Sequence, residues 1–167
     1  TISKGSMNTM KELLALLKQN ARLSNAELAA MLGKTEQEVA AQIADLEHAG
    51  VIRGYSVILD EELADRDAVS AYIELKVTPQ PDCGFDELAR MITAFEEVES
   101  VTLMSGGYDL GLTINGSGLR DIAAFVAQRL ATLDGVLSTR THFVLKRYKE
   151  KGILIQEEPS DERGVYL

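Results

Sequence analysis

Two short segments, Ser24-Asn25-Ala26-Glu27 and Thr35-Glu36-Gln37-Glu38, constrain this chain more than any other feature. Each is a capping box: a hydroxyl accepts from the amide three residues on, and the glutamate at that position reaches back to the first residue's amide. Each therefore starts a helix at a defined residue. The first is predicted to run from Asn25 to Met31 and to stop at Gly33 in a left-handed conformation. The second follows at once, places Val39, Ile43 and Leu46 on one face, and ends at Gly50. Two capped helices joined by a tight Gly-containing turn are a helix-turn-helix. A preceding helix over about Thr9 to Lys18, with Met10, Leu13, Leu14, Leu16 and Leu17 at helical spacing, completes a three-helix unit. Val51-Ile52-Arg53-Gly54-Tyr55 then reads as a turn into a short strand, the wing of a winged helix.

A helix-turn-helix reads DNA by laying its second helix in the major groove, with that helix's first residues near base edges. Here those residues are Thr35, Glu36, Gln37 and Glu38, followed by Ala41, Gln42 and Asp45. Gln pairs with adenine edges and Glu accepts from the cytosine amine. Ser24 and Asn25 open the preceding helix, and Arg22, Lys34, Arg53, Lys11 and Lys18 are candidate phosphate contacts. The competing reading is a three-helix bundle that binds nothing. The third helix is itself acidic, so affinity must come from residues around it and from two copies acting together.

Beyond the junction Asp60-Glu61-Glu62-Leu63-Ala64-Asp65-Arg66-Asp67, expected as a solvated linker, the periodicity changes. Val69, Ala71, Ile73, Leu75 and Val77 alternate with Ser70, Tyr72, Glu74 and Lys76, a strand with one buried face. A helix from Phe85 to about Phe95 follows, then strands at Val101–Met104 and Leu110–Ile114 around Ser105-Gly106-Gly107-Tyr108-Asp109. A helix from Leu119 to about Leu130 and a last strand from Val136 through Leu145 complete the order βαββαβ. That order is the ferredoxin-like split unit, so the fold class is α+β. The expected layout is a winged helix-turn-helix at 7–54, a linker strand and loop at 55–67, a ferredoxin-like domain at 68–155 and a surface tail at 156–167. The apolar triplet Ile153-Leu154-Ile155 is expected to add an edge strand.

Charge separates the same two units. Residues 1–59 carry 6 basic and 6 acidic side chains, whereas residues 60–145 carry 6 and 15 and so hold the whole net charge of −9. A polyanion tolerates the first segment and is repelled by the second. No run reaches the roughly 18 apolar residues of a membrane helix, and no membrane partner is expected. Thr1 to Ser6 carries one charge, Lys4, and no apolar stretch, so no signal peptide is expected and the native start is placed at Met7. A single cysteine, Cys83, allows no internal disulfide and fits a cytoplasmic protein. His142 lies beside Arg140 with no nucleophile at useful spacing, and His48 suits a helix C-terminus. The glycine pairs precede no Lys-Ser/Thr, so they make no phosphate loop. No catalytic set, metal site or cofactor is expected.

The chain resembles the Lrp/AsnC family of transcription regulators from Met7 to about Lys149. The resemblance rests on Ala21-Arg22-Leu23-Ser24, Glu27-Leu28-Ala29, Leu46 through Tyr55, Ser105 through Asp109, Leu133-Asp134-Gly135-Val136 and Thr139-Arg140-Thr141 leading into Phe143. It implies a winged helix-turn-helix joined to a ferredoxin-like ligand-sensing domain. It also implies dimers that assemble into octamers, with amino acids as effectors bound at contacts between dimers. Where the family's recognition helix has Ser, then Thr or Ser, then Arg, this chain has Thr35, Glu38 and Gln42, which removes cationic reach toward DNA.

The expected function is a regulator that binds double-stranded DNA as a homodimer and responds to a small molecule, an amino acid by resemblance. The alternative is an oligomeric amino-acid sensor or scaffold with weakened DNA binding; an enzyme is disfavoured. The dimer is expected through the sheet face that lacks helix cover, taken as partly apolar, and through the strand around Tyr55 to Leu59. For the effector site, the turn amides of Gly106, Gly107 and Tyr108 can face a carboxylate while Asp109 accepts from an ammonium group. Thr139 and Thr141 would add hydroxyls and Phe143 an apolar wall. The competing reading has Asp109 merely capping its own turn.

Overall fold

The computed structural model describes residues 4–65, 67–79 and 84–155. Cys83 and the tail expected at 156–167 lie outside them. The chain divides into two compact units, one up to Val57 and one from Ile58.

In the first unit, α1 (Lys4–Gln19), α2 (Asn25–Leu32) and α3 (Glu36–His48) enclose Leu13, Leu17, Leu28, Ala29, Val39 and Leu46. Both capping boxes form: Glu27 Oε2 accepts from the Ser24 amide at 2.8 Å, and Glu38 Oε2 from the Thr35 amide at 2.8 Å. Gly33 closes α2 with φ at 63°, and the Lys34 amide returns to the Ala29 carbonyl, which makes the tight turn. The strand expected after Val51 does not form. Residues 51–60 have no ladder partner among the described residues, and a lone extended segment cannot satisfy its backbone groups as a strand.

In the second unit, β1 (Val69–Val77), β2 (Val98–Leu103), β3 (Leu110–Gly116) and β4 (Val136–Phe143) form one antiparallel sheet in the order β2-β3-β1-β4. One face packs against α5 (Asp86–Thr93) and α6 (Leu119–Phe125), the latter prolonged by a wider π-helical turn through Leu130. Between them lie Ala71, Ile73, Leu75 and Val77 of β1, Leu110, Leu112 and Ile114 of β3, and Leu88, Ile92, Ile122, Phe125 and Leu130 of the helices. The π turn brings Arg129 over the Phe95 ring at 4.3 Å, where it also pairs with Glu97 at 2.6 Å.

Three expectations need correction. The junction is not wholly a solvated linker: Glu61–Ala64 form a short helix, α4. Its Glu61 accepts from the buried Ser70 hydroxyl at 3.2 Å and pairs with Arg147 at 3.2 Å. The triplet at 153–155 does not extend the main sheet. Instead β6 (Ile153–Leu154) pairs with β5 (Lys149–Glu150) as a separate hairpin. The face without helices is also not apolar. Residues paired directly across an antiparallel sheet share a face, so the alternation and register place Tyr72, Glu74 and Lys76 there with Gly111, Thr113, Ser138, Arg140 and His142. Glu74 pairs with His142 at 3.3 Å and Arg140 at 3.6 Å. Exposed apolar side chains include Leu59, Leu145, Tyr148 and Leu154, with Leu145 93% exposed.

Candidate DNA-reading helix and effector loop

On the first unit, α3 begins with both of its positive-end requirements met internally. Glu38 Oε2 takes the Thr35 amide and the Thr35 hydroxyl, each at 2.8 Å. These bonds, the backbone one first, hold the Glu38 carboxyl below its ordinary range. A helix N-terminus is where a phosphate would otherwise sit, and here a carboxylate already occupies it. Ser24 and Glu27 do the same for α2, and the Glu27 carboxyl is likewise lowered by the Ser24 amide. The hydroxyls of Ser24 and Thr35 and the Glu38 carboxylate are therefore engaged in capping.

Gln42 is half-buried. Its Oε1 is buried and accepts no hydrogen bond among the described residues. Glu36, Gln37 and Ala41 remain exposed on α3, as do Arg22 just before α2 and Asn25 at its start. Lys34 is half-buried. Arg53 is exposed, and its guanidinium folds back on Gly50 so closely that a Cβ there would meet Cζ at 2.9 Å. The Tyr55 hydroxyl donates to Glu47 Oε1 at 2.9 Å, tying the chain's exit to the end of α3; desolvation and that carboxylate push the phenol up. The sequence could not show the burial of Gln42 Oε1, because rotamer choice depends on how α3 packs.

On the second unit, the Gly106–Asp109 loop sits at the Leu75–Val77 end of β1. The Asp109 amide donates to the Leu75 carbonyl at 2.9 Å, and the Met104 amide closes the loop on the Asp109 carbonyl at 2.8 Å. Asp109 Oδ2 accepts from the Val77 amide at 2.9 Å, where the β1–β4 register shifts. One carboxylate oxygen therefore has a structural task. Neither Gly106 nor Gly107 has positive φ, and a Cβ on either would touch nothing within 4 Å. Glycine is therefore not required at either position by backbone angle. What glycine leaves is bare backbone, with the Gly106 and Gly107 amides unbonded among the described residues.

The other expected effector residues are not gathered around this loop within one chain. Thr139 pairs with Leu75, Thr141 with Ile73 and Phe143 with Ala71, so all three belong to the helix-covered side of β4. β3 and β4 flank β1 on opposite sides, about 10 Å apart. Phe143 is a further four residues, about 13 Å, along β1 from Leu75. Tyr108 lies on the opposite, uncovered face, where its hydroxyl meets that of Tyr72 at 2.9 Å. Tyr72 went unnoticed in the sequence because nothing local joins it to a loop 36 positions away.

A helix-turn-helix on one unit and a helix-backed sheet with a bare-backbone loop on the other define a ligand-responsive transcription regulator. Residues 8–53 match the winged helix-turn-helix DNA-binding family and residues 70–154 the Lrp/AsnC ligand binding domain; the chain belongs to the Lrp/AsnC family of transcription regulators. It is 44% identical to the uncharacterized HTH-type transcriptional regulator YugG of Bacillus subtilis, covering 92% of this chain and 93% of that one. It is 29% identical to the leucine-responsive regulatory protein of Haemophilus influenzae, covering 86% of each. Among solved structures, it is similar to a transcriptional regulator of Neisseria meningitidis in complex with L-Met. That match has a TM-score of 0.70 and 26% identity, covering 90% of this chain and 94% of that one.

Proposed function

We propose that this regulator senses an amino acid at the Gly106–Asp109 loop and transmits its presence to DNA held by the helix-turn-helix. The observation that carries the reading is the pairing of the unbonded Gly106 and Gly107 amides with the Asp109 carboxylate a few residues away. Donors for a carboxylate beside an acceptor for an ammonium group suit a zwitterion. The L-Met complex of the Neisseria relative supports the same ligand class. Thr139, Thr141 and Phe143 enter this site from a neighbouring copy, since their own chain keeps them apart from the loop.

The working unit in this reading is a homodimer, with octamers following from the family resemblance. Exposed Leu59, Leu145, Tyr148 and Leu154 supply the apolar area, and residues 55–59 supply unpaired backbone for a second strand. Residues 7–54 act as the DNA-binding domain, 55–67 as the connection and 68–155 as the effector and association domain. The protein works in the cytoplasm and carries out no catalytic step. Among the described residues, no helix is long and apolar enough to cross a membrane.

Retardation of the protein's own upstream DNA, measured across salt concentrations, tests the DNA arm. Affinity should fall steeply as salt rises, because bound cations leave the phosphates. No retardation at low salt would favour an oligomeric sensor that has lost its DNA, a reading the carboxylates of α3 keep in play. Calorimetry with each of the twenty amino acids tests the effector arm. Light scattering that gives a monomer mass at micromolar concentration would refute the dimer.

A further inference from the structure

We propose that Tyr72, on the uncovered face of the sheet, is a positioning residue that holds the Gly106–Asp109 loop in its binding shape through the Tyr108 hydroxyl. The proposal deepens the amino-acid reading and rests on it for the ligand alone. Tyr72 stands in the middle of β1, between buried Ala71 and Ile73, so its own side chain projects away from the helices. The ring does not point out to solvent. It lies across the neighbouring strand over Gly111, where a Cβ would overlap the Tyr72 hydroxyl and meet Cζ at 2.8 Å. Glycine at 111 is thus the residue that lets an aromatic ring cover β3.

From there the Tyr72 hydroxyl reaches Tyr108 at 2.9 Å, and the two rings meet edge to face with centroids 6.3 Å apart. Lys76, on the same face two positions beyond Glu74, donates to the Gly107 carbonyl at 3.4 Å. The loop is therefore held twice: at its Asp109 end by main-chain and carboxylate bonds to Leu75 and Val77, and at Gly107 and Tyr108 by side chains of the uncovered face. The second hold is what sets the direction of the Gly106 and Gly107 amides, which have no bond of their own. A phenol bonded to a second phenol and partly desolvated gives up its proton late, so the Tyr72 pKa is pushed up to about 12 and the bond persists across the physiological range.

The test uses Tyr72→Phe in the full chain, which keeps the ring over Gly111 and removes only the hydroxyl. Amide exchange followed by NMR reads Met104 and Asp109, whose N–H groups close the loop. Loss of one net hydrogen bond should speed their exchange about 2- to 12-fold. The Ala131 amide, which closes the π turn on the opposite side of the sheet, should keep its rate. Tyr108→Phe should give the same increase, and the double variant no more than either alone. Wild-type exchange at Met104 and Asp109 in Tyr72→Phe overturns the proposal, as does a double variant whose effects simply add. Calorimetry with the twenty amino acids supplies the second readout: any that binds the wild type should bind Tyr72→Phe more weakly by the same factor, and equal binding overturns the positioning role. If none binds the wild type while the loop still loosens, the effector reading fails and the hold of Tyr72 on the loop stands.

Discussion

Asp109 anchors β1 in this structure and takes the ammonium group in the proposed amino-acid site, and two substitutions separate the two roles. Its Oδ2 accepts the Val77 amide at 2.9 Å, a partly buried donor at a break in the β1–β4 register with no other acceptor among the described residues. Asp109→Ala leaves that amide unpaired, which costs about 1–3 kcal/mol. In a domain of this size each kcal/mol lowers Tm by about 4–8 °C. Asp109→Asn keeps a carbonyl oxygen for the Val77 amide and loses only the charge, so its stability should fall by less than about 1 kcal/mol. The ligand separates the two differently. An ammonium group bound to Oδ1 gains a charge-assisted bond of about 1.5–3 kcal/mol, so both variants should lose about 10- to 150-fold in amino-acid affinity. Urea unfolding and calorimetry on the three proteins give the two axes. Equal stability of Asp109→Ala and wild type would refute the anchoring role. Wild-type affinity in Asp109→Asn would show that the carboxylate takes no part in holding the ligand.

Gln42→Arg should add a cation to α3, whose sequence carries Glu36, Glu38, Asp45 and Glu47 without a Lys or Arg. Each phosphate it reaches should steepen the slope of log affinity against log salt by about 0.9, read by retardation at several salt concentrations; an unchanged slope would place residue 42 away from the backbone. Both capping glutamates have folded-state pKa values below the unfolded value of 4.5, so the folded chain binds fewer protons than the unfolded one in that range. Their contribution is present above pH 4.5 and is lost as pH falls through the lowered values. Far-UV circular dichroism on acidification should show the loss, and the variant with Glu27→Gln and Glu38→Gln together should show less of it. Gly111→Ala sets a methyl against the Tyr72 ring and should cost about 1–3 kcal/mol in urea unfolding. Replacing Gly107 with Ala, where a Cβ meets nothing, should cost far less.

What the sequence alone determined is what depends on near neighbours. A capping box is closed by bonds between residues three apart, so Ser24 with Glu27 and Thr35 with Glu38 placed both helix starts of the helix-turn-helix. Alternation along Val69–Val77 and helical spacing along α5 and α6 likewise placed the core residues. The order of those elements then left the ferredoxin-like sheet as the reading for the second unit. The same alternation places Tyr72, Glu74 and Lys76 on the outer face and makes it polar.

The tertiary structure decided everything that joins distant positions. The Asp109 carboxylate is taken by an amide 32 positions earlier, and Tyr108 by a phenol 36 positions earlier. Neither pairing leaves a trace in local pattern. Thr139 and Thr141 are expected on a strand neighbouring the loop, whereas their pairing with Leu75 and Ile73 places them on the helix-covered side of β4. Gln42 has the chemistry to pair with adenine, and only the packing of α3 shows that its Oε1 is buried. The segment after Val51 has a strand's sequence but no strand, because a ladder needs a second backbone and the described residues offer it none.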